Sequence, residues 1–180
     1  RNDFVHFDDP QYVLDNPLVK AVSFDNLKKI FSSSTWGNYQ PLVTLSFAVE
    51  YHFFRLNPFF YHLDNLLLHL INTVLIFYLV YLLTENSNIA FFTTVLFAIH
   101  PMQVESVAWI SERKNLLYAF FYFWALIIYI LYVKKERNRA AFYFLSVALF
   151  LCSLLSKGLA VSLVMILFVV DFLFKRKPSW

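Results

Sequence analysis

The chain has 180 residues, 59 % of them hydrophobic and 21 % aromatic, with a formal net charge of +3. Ordinary soluble domains are about 45–50 % apolar; here the apolar residues come in blocks with basic residues at their ends, which indicates an integral membrane protein and excludes a nucleic-acid partner. Two glycines exclude collagen-like, flexible-linker and Gly-rich phosphate-loop architectures, and the single cysteine, Cys152, excludes an intrachain disulfide.

The chain opens on Arg1-Asn2-Asp3, with neither a Met nor a signal peptide, so a fragment of a longer protein is expected. Residues 1–58 contain no span and read as an external first-loop segment with an acidic motif, Asp8-Asp9, and short interfacial helices. Asn16-Pro17 marks a turn. A short helix is predicted over 24–31, with Ser23 as N-cap and Asn26 near the third helical position. After a loop at 32–38, Pro41 suits the first turn of a helix reaching about Arg55. Its residues Leu42, Leu45, Val49, Phe53 and Leu56 form an apolar stripe, with Glu50, His52 and Arg55 off it, which predicts a helix lying on the bilayer surface.

Residues 59–180 then read as a transmembrane helical bundle. Apolar segments at 59–83, 89–110, 116–133, 140–156 and 159–174 give an all-α, polytopic helical membrane protein with about five spans across roughly 30 Å of hydrocarbon. The second segment is apolar only as far as Ile99. Its remainder carries His100, Gln103, Glu105 and Ser106, and must face protein or water. Basic clusters at 134–139 and 175–177 mark the cytoplasmic side. Alternating the connections then puts residues 1–58, the stretch 100–114 and Lys157-Gly158 together on the opposite face. In the first span His62, Asn65, His69 and Asn72 fall on one helical stripe. His69 and Asn72 are expected to bond between helices; His62 and Asn65, nearer the non-cytoplasmic face, are candidates for substrate contact.

Ionisable groups set against membrane-grade sequence persist where they meet a cavity, a partner or the head-group layer. Asp8 and Asp9 are candidates for a general base or a substrate contact, the bland alternative being an Asp-Pro surface turn. Arg113, Lys114 and Lys157 at a membrane face suit phosphate, Arg through its planar fork and Lys as a point charge; the alternative is snorkelling of flanking cations. His100 and Glu105 are candidate substrate contacts, with helix capping by His100-Pro101 and an ion pair from Glu105 to Arg113 or Lys114 as structural alternatives. No His or Cys spacing makes a zinc site. No cofactor is indicated, and a divalent metal, though compatible with the acidic pair, has no recognisable ligand set. Asp171 reads as a helix-end partner of Lys175.

Several of these blocks, in order along nearly the whole chain, resemble the membrane part of the transmembrane and tetratricopeptide-repeat-containing O-mannosyltransferases and their bacterial relatives. They are Phe7-Asp8-Asp9-Pro10 with Tyr12 and Asn16-Pro17; Tyr39-Gln40-Pro41-Leu42 leading to Phe47; Tyr61-His62-Leu63 with Asn65 and His69; residues 97–114; and Ser156-Lys157 with Asp171. The family belongs to the C-type glycosyltransferase superfamily. The resemblance implies a multi-span enzyme in the bacterial inner membrane or the endoplasmic reticulum membrane, with its site facing away from the cytoplasm. It implies transfer of a hexose such as mannose from a polyprenyl-phosphate carrier to a hydroxyl, expected on protein Ser or Thr. By position, Asp8 or Asp9 carries the role of general base, and Arg113, Lys114 and Lys157 that of phosphate ligands. It also implies a span before Asp8 and further spans and helical repeats after the last segment. Gln40 stands where the family pattern has Arg, and Asn115 where it has Asp. Competing classes are a transporter or flippase for a polyprenyl-linked sugar and a non-catalytic lipid-binding module.

Overall fold

A computed structural model describes residues 3–5, 7–134 and 139–174. The basic clusters at 134–139 and 175–177, apart from Lys134 and the backbone of Arg139, and the expected partner Lys175 of Asp171 therefore lie outside the described residues. Among the described residues every regular element is helical, and one isolated bridge joins Thr35 to Asn38.

The first-loop segment begins with a π-helical turn, Pro10–Leu14, closed by the Asp15 N–H donating to the Pro10 carbonyl at 2.7 Å. Helix α1 spans Phe24–Ser32, and the Ser23 hydroxyl accepts from the Asn26 N–H at 3.2 Å, satisfying one of the donors a helix start leaves free. Helix α2 spans Pro41–Phe54 with proline in its first turn. Its buried face is Val43, Phe47 and Glu50, whereas Val49, Phe53 and the following Leu56 stay exposed, so the apolar stripe faces outward and the polar residue Glu50 faces in.

Helix α3 spans Pro58–Thr84, and a second long stretch, Ile110–Lys134, consists of a 3-10 turn followed by α6, Arg113–Lys134. With 27 and 25 residues and mean hydropathies of 2.3 and 2.2, these two are long and apolar enough to cross a membrane. Helix α4 spans Ser87–Ile99, α7 Arg139–Ser156 and α8 Ser162–Leu173; their apolar stretches are shorter. The expected continuous segment 89–110 is broken. Helix α4 stops at Ile99, His100 is extended (φ −64°, ψ 130°), and a separate short helix α5 covers Met102–Ala108. Pro101 is the physical reason: its ring crowds the preceding residue out of the α conformation and it has no N–H to continue the ladder.

Helix α6 packs against α3, α7 and α8, and α4 packs against α3. The membrane-grade core includes Leu75, Leu79, Ile127, Ile130, Leu163 and Val170. Large apolar side chains such as Phe92, Leu96, Phe168 and Phe172 remain exposed, as a lipid-facing surface requires. A second cluster of Tyr12, Val13, Val19, Val43, Phe47, Tyr61 and Ile110 fastens the first-loop segment onto the starts of α3 and α6. That cluster positions the site.

Candidate functional site

Arg113, the first residue of α6, is completely buried. Its guanidinium forks onto Glu50 of α2, with Nη2 donating to Oε1 at 3.1 Å and Nη1 to Oε2. Nε donates to Asn65 Oδ1 at 2.9 Å and Nη2 to the Tyr61 carbonyl at 2.9 Å. The ring of Phe47 lies 4.6 Å below its central carbon, and the half-exposed carboxylate of Asp64 is 3.7 Å away. A buried charge survives only when its donors are matched in this way. Burial pushes the Glu50 carboxyl up and the guanidinium pulls it back. The fork of Arg113 is thus turned inward and locks α2, α3 and α6 together. Asn65 belongs to the same lock: its Nδ2 donates to the Trp109 carbonyl at 3.1 Å. Further along the stripe, His69 Nε2 meets the Ala98 carbonyl at 3.1 Å and Asn72 Nδ2 donates to the Leu116 carbonyl at 2.9 Å.

The two aspartates have different surroundings. Asp9 is fully buried, and its carboxylate accepts from the Val5 N–H at 2.8 Å and from the Ser111 N–H at 2.9 Å. It ties the first loop to the turn preceding Arg113. Asp8 is half-buried, and among the described residues its carboxylate has no hydrogen bond or ion pair.

Lys114 and Lys157 line one cavity of about 400 Å³, together with Gly37, Asn38, Tyr39 and Gln40. Lys114 Nζ lies 2.7 Å from Glu112 Oε1 and 5.4 Å from the centre of the Tyr12 ring. Lys157 Nζ donates to Asn115 Oδ1, and Asn115 Nδ2 donates to Glu112. Burial pushes the Lys157 ammonium below the ordinary lysine value; Glu112 opposes this, and the charge of Lys114 adds to it. Two like charges sharing a partly buried wall favour an anionic ligand. Gln40 is buried, and among the described residues its amide Nε2 finds no acceptor, an unmet donor at the edge of the same cavity. Neither aspartate lines this cavity.

The other candidates lie elsewhere. His100 caps α4; its Nδ1 accepts from the Met102 N–H at 3.2 Å, and it lines a separate cavity of about 260 Å³ with His69 and Gln103. Glu105 is exposed beside a third cavity with Val5, Phe7 and Trp109, apart from Arg113 and Lys114. His62 is half-buried, and both its ring nitrogens lack partners among the described residues. No group of three or more His, Cys, Asp or Glu among the described residues is placed to hold a metal.

No protein-family model and no solved structure matches the chain. Curated proteins do match. The Caenorhabditis elegans protein O-mannosyl-transferase F38B6.6 is 35 % identical over 97 % of this chain. Mouse protein O-mannosyl-transferase TMTC1 is 33 % identical over 72 % of it, and human TMTC2 is 32 % identical over 82 %. The chain belongs to the TMTC protein O-mannosyl-transferase family. It spans 26 % of the nematode protein, 15 % of mouse TMTC1 and 19 % of human TMTC2.

In this TMTC-family chain, sequence reasoning did not foresee the surroundings of three residues at the candidate site. Glu50 was placed off the apolar stripe of an interfacial helix, although Val43, Phe47 and Glu50 fall at spacings of four and three and so share a face that could have revealed its burial. Glu112 lies within the charged block but was not singled out; it is the carboxylate that holds Lys114. Gln40, noted for replacing an arginine, turns out to carry the unmet donor of the cavity.

Proposed function

We propose that this chain forms the first-loop and donor-phosphate part of a glycosyltransferase that moves a hexose, in the first instance mannose, from a polyprenyl-phosphate carrier to protein Ser or Thr. The observation that carries this is the cavity shared by Lys114 and Lys157, two cations far apart in sequence that converge at the end of the bundle where the first-loop segment is fastened. The names of the family relatives support the sugar and the protein acceptor. About five spans are proposed, the three shorter apolar stretches crossing with the help of flanking residues, and the site faces the non-cytoplasmic side.

In this reading the carrier's phosphate lies between Lys114 and Lys157, with the Gln40 amide as a neutral donor. Asp8 takes the proton of the acceptor hydroxyl as its oxygen attacks the anomeric carbon, and the bond from that carbon to the phosphate oxygen breaks. The electron pair leaves with the phosphate, whose growing charge the two ammonium groups stabilise. Asp9 and Arg113 position this apparatus: Asp9 fixes the loop that bears Asp8, and Arg113 fixes the start of the helix that bears Lys114.

The test is transfer by the full-length protein from synthetic polyprenyl-phosphate mannose to a Ser/Thr acceptor. Asp8→Asn is expected to lower kcat by about 10²–10⁴-fold, the range of one general base, with carrier binding retained. Lys114→Ala combined with Lys157→Ala is expected to weaken carrier binding. Full transfer by Asp8→Asn would overturn the catalytic reading, and sugar translocation persisting in that variant would indicate a transporter.

A further inference from the structure

A cavity of about 610 Å³ in the first-loop segment lies outside the lysine site and is lined by Gln11, Asp15, Lys29, Ser34, Thr35 and Trp36, among others. The same loop serves both cavities, its 33–36 half facing this one and its 37–40 half the lysine cavity. Its tip is a two-residue turn: Thr35 and Asn38 exchange both backbone hydrogen bonds at 3.0 Å, and Trp36 and Gly37 between them have φ of 51° and 76°. Such turns favour Asn-Gly, because both central residues sit in the left-handed region. For Gly37 this is free; for a bulky aromatic it is a strained outlier. The surroundings enforce it, since Asn38 Nδ2 donates to the Tyr12 hydroxyl at 2.9 Å and the Tyr39 hydroxyl donates to the Phe31 carbonyl at 2.9 Å.

Nothing in the packing repays that strain, because Trp36 is 67 % exposed. A chain that bears a local conformational cost without burying the side chain responsible has kept that side chain for an external contact. Around the indole, the side chains of Gln11, Asp15, Lys29 and Ser34 make no hydrogen bond or ion pair among the described residues.

We infer that this cavity is a carbohydrate-binding subsite that takes an uncharged hexopyranoside against the face of Trp36. The apolar C–H face of a pyranose fits the electron-rich indole face, and Asp15, Gln11 and Ser34 are suited to neighbouring hydroxyls. Its volume lies in the range of small-ligand sites. An anion is disfavoured because Asp15 offsets Lys29. An extended peptide is disfavoured because the backbone groups of Thr35 and Asn38 satisfy each other and leave no free edge for strand addition. The subsite does not depend on the chain transferring sugar.

The experiment is titration of the full-length protein in detergent with mannobiose, followed by saturation-transfer NMR. Trp36→Asn removes the ring but supplies a residue the turn favours; it is expected to raise the thermal midpoint while weakening mannobiose binding by about tenfold, the scale of one lost aromatic face. Asp15→Asn, which leaves the turn intact, is expected to weaken binding as well. Lys114→Ala combined with Lys157→Ala is expected to bind mannobiose normally while binding the carrier more weakly, so that failure of the donor site and failure of this subsite are read separately. Absence of mannobiose binding, undiminished binding in both Trp36→Asn and Asp15→Asn, or displacement of the sugar solely by a Ser/Thr peptide would each overturn the assignment.

Discussion

Arg113 and Glu50 show how far a charge can be drawn inward when its partners are complete. The acceptors of the Arg113 guanidinium, on Glu50, Asn65 and Tyr61, all come from elements that precede α6 in the chain. Removing one side of a buried pair leaves the other charge stranded, at a cost of about 3–5 kcal/mol. Glu50→Ala is therefore expected to lower the thermal unfolding midpoint in detergent sharply, and Glu50→Gln less so because its amide oxygen still accepts. An unchanged midpoint for Glu50→Ala would show that the fork is not what holds α2 to the bundle. The sequence marked Arg113-Lys114 as a candidate basic pair, but not which member turns inward. Arg113 and Lys114 are adjacent, so their side chains point about 100° apart on the helix, and only the tertiary position of Glu50 decides which one is buried.

At the scale of elements, helix starts were readable because their chemistry is local. The Ser23 cap, the proline opening α2, and the helical stripe of His69 and Asn72 each depend on residues within a turn or two. The break between α4 and α5 was legible only as an alternative, capping by His100-Pro101; the apolar run up to Ile99 led the span to be carried on to residue 110. Restoring an N–H with Pro101→Ala relaxes the constraint on His100 and lets α4 run on toward α5. Longer helix would redirect residues 109–111 and pull Ser111 away from Asp9. The expected result is equal or greater helical circular dichroism with loss of transfer; retained transfer alongside increased helicity would show that the kink does not serve the site.

For the whole molecule, the parity of connections in the sequence placed three polar elements on one face, and in the structure the first-loop segment, the 109–114 turn and Lys157 do meet at one end of the helices. At the other end Lys134 Nζ donates to the Leu82 carbonyl at 2.7 Å and lies 3.2 Å from Glu85. Single cysteines added to a Cys152→Ser background should therefore react in two groups: Ser34→Cys and Glu105→Cys with an impermeant reagent from the non-cytoplasmic side, Asn88→Cys only after permeabilisation. Labelling of Ser34→Cys and Asn88→Cys from the same side would break the proposed topology.

The cations of the donor cavity are already in company, Lys114 with Glu112 and Lys157 with Asn115. A phosphate bound there, as proposed, would exchange one set of neighbours for another instead of meeting bare charge, and on its departure Glu112 and Asn115 would reclaim both side chains. In the proposed reading, a resting state with its own substitutes favours quick discharge of product over tight retention.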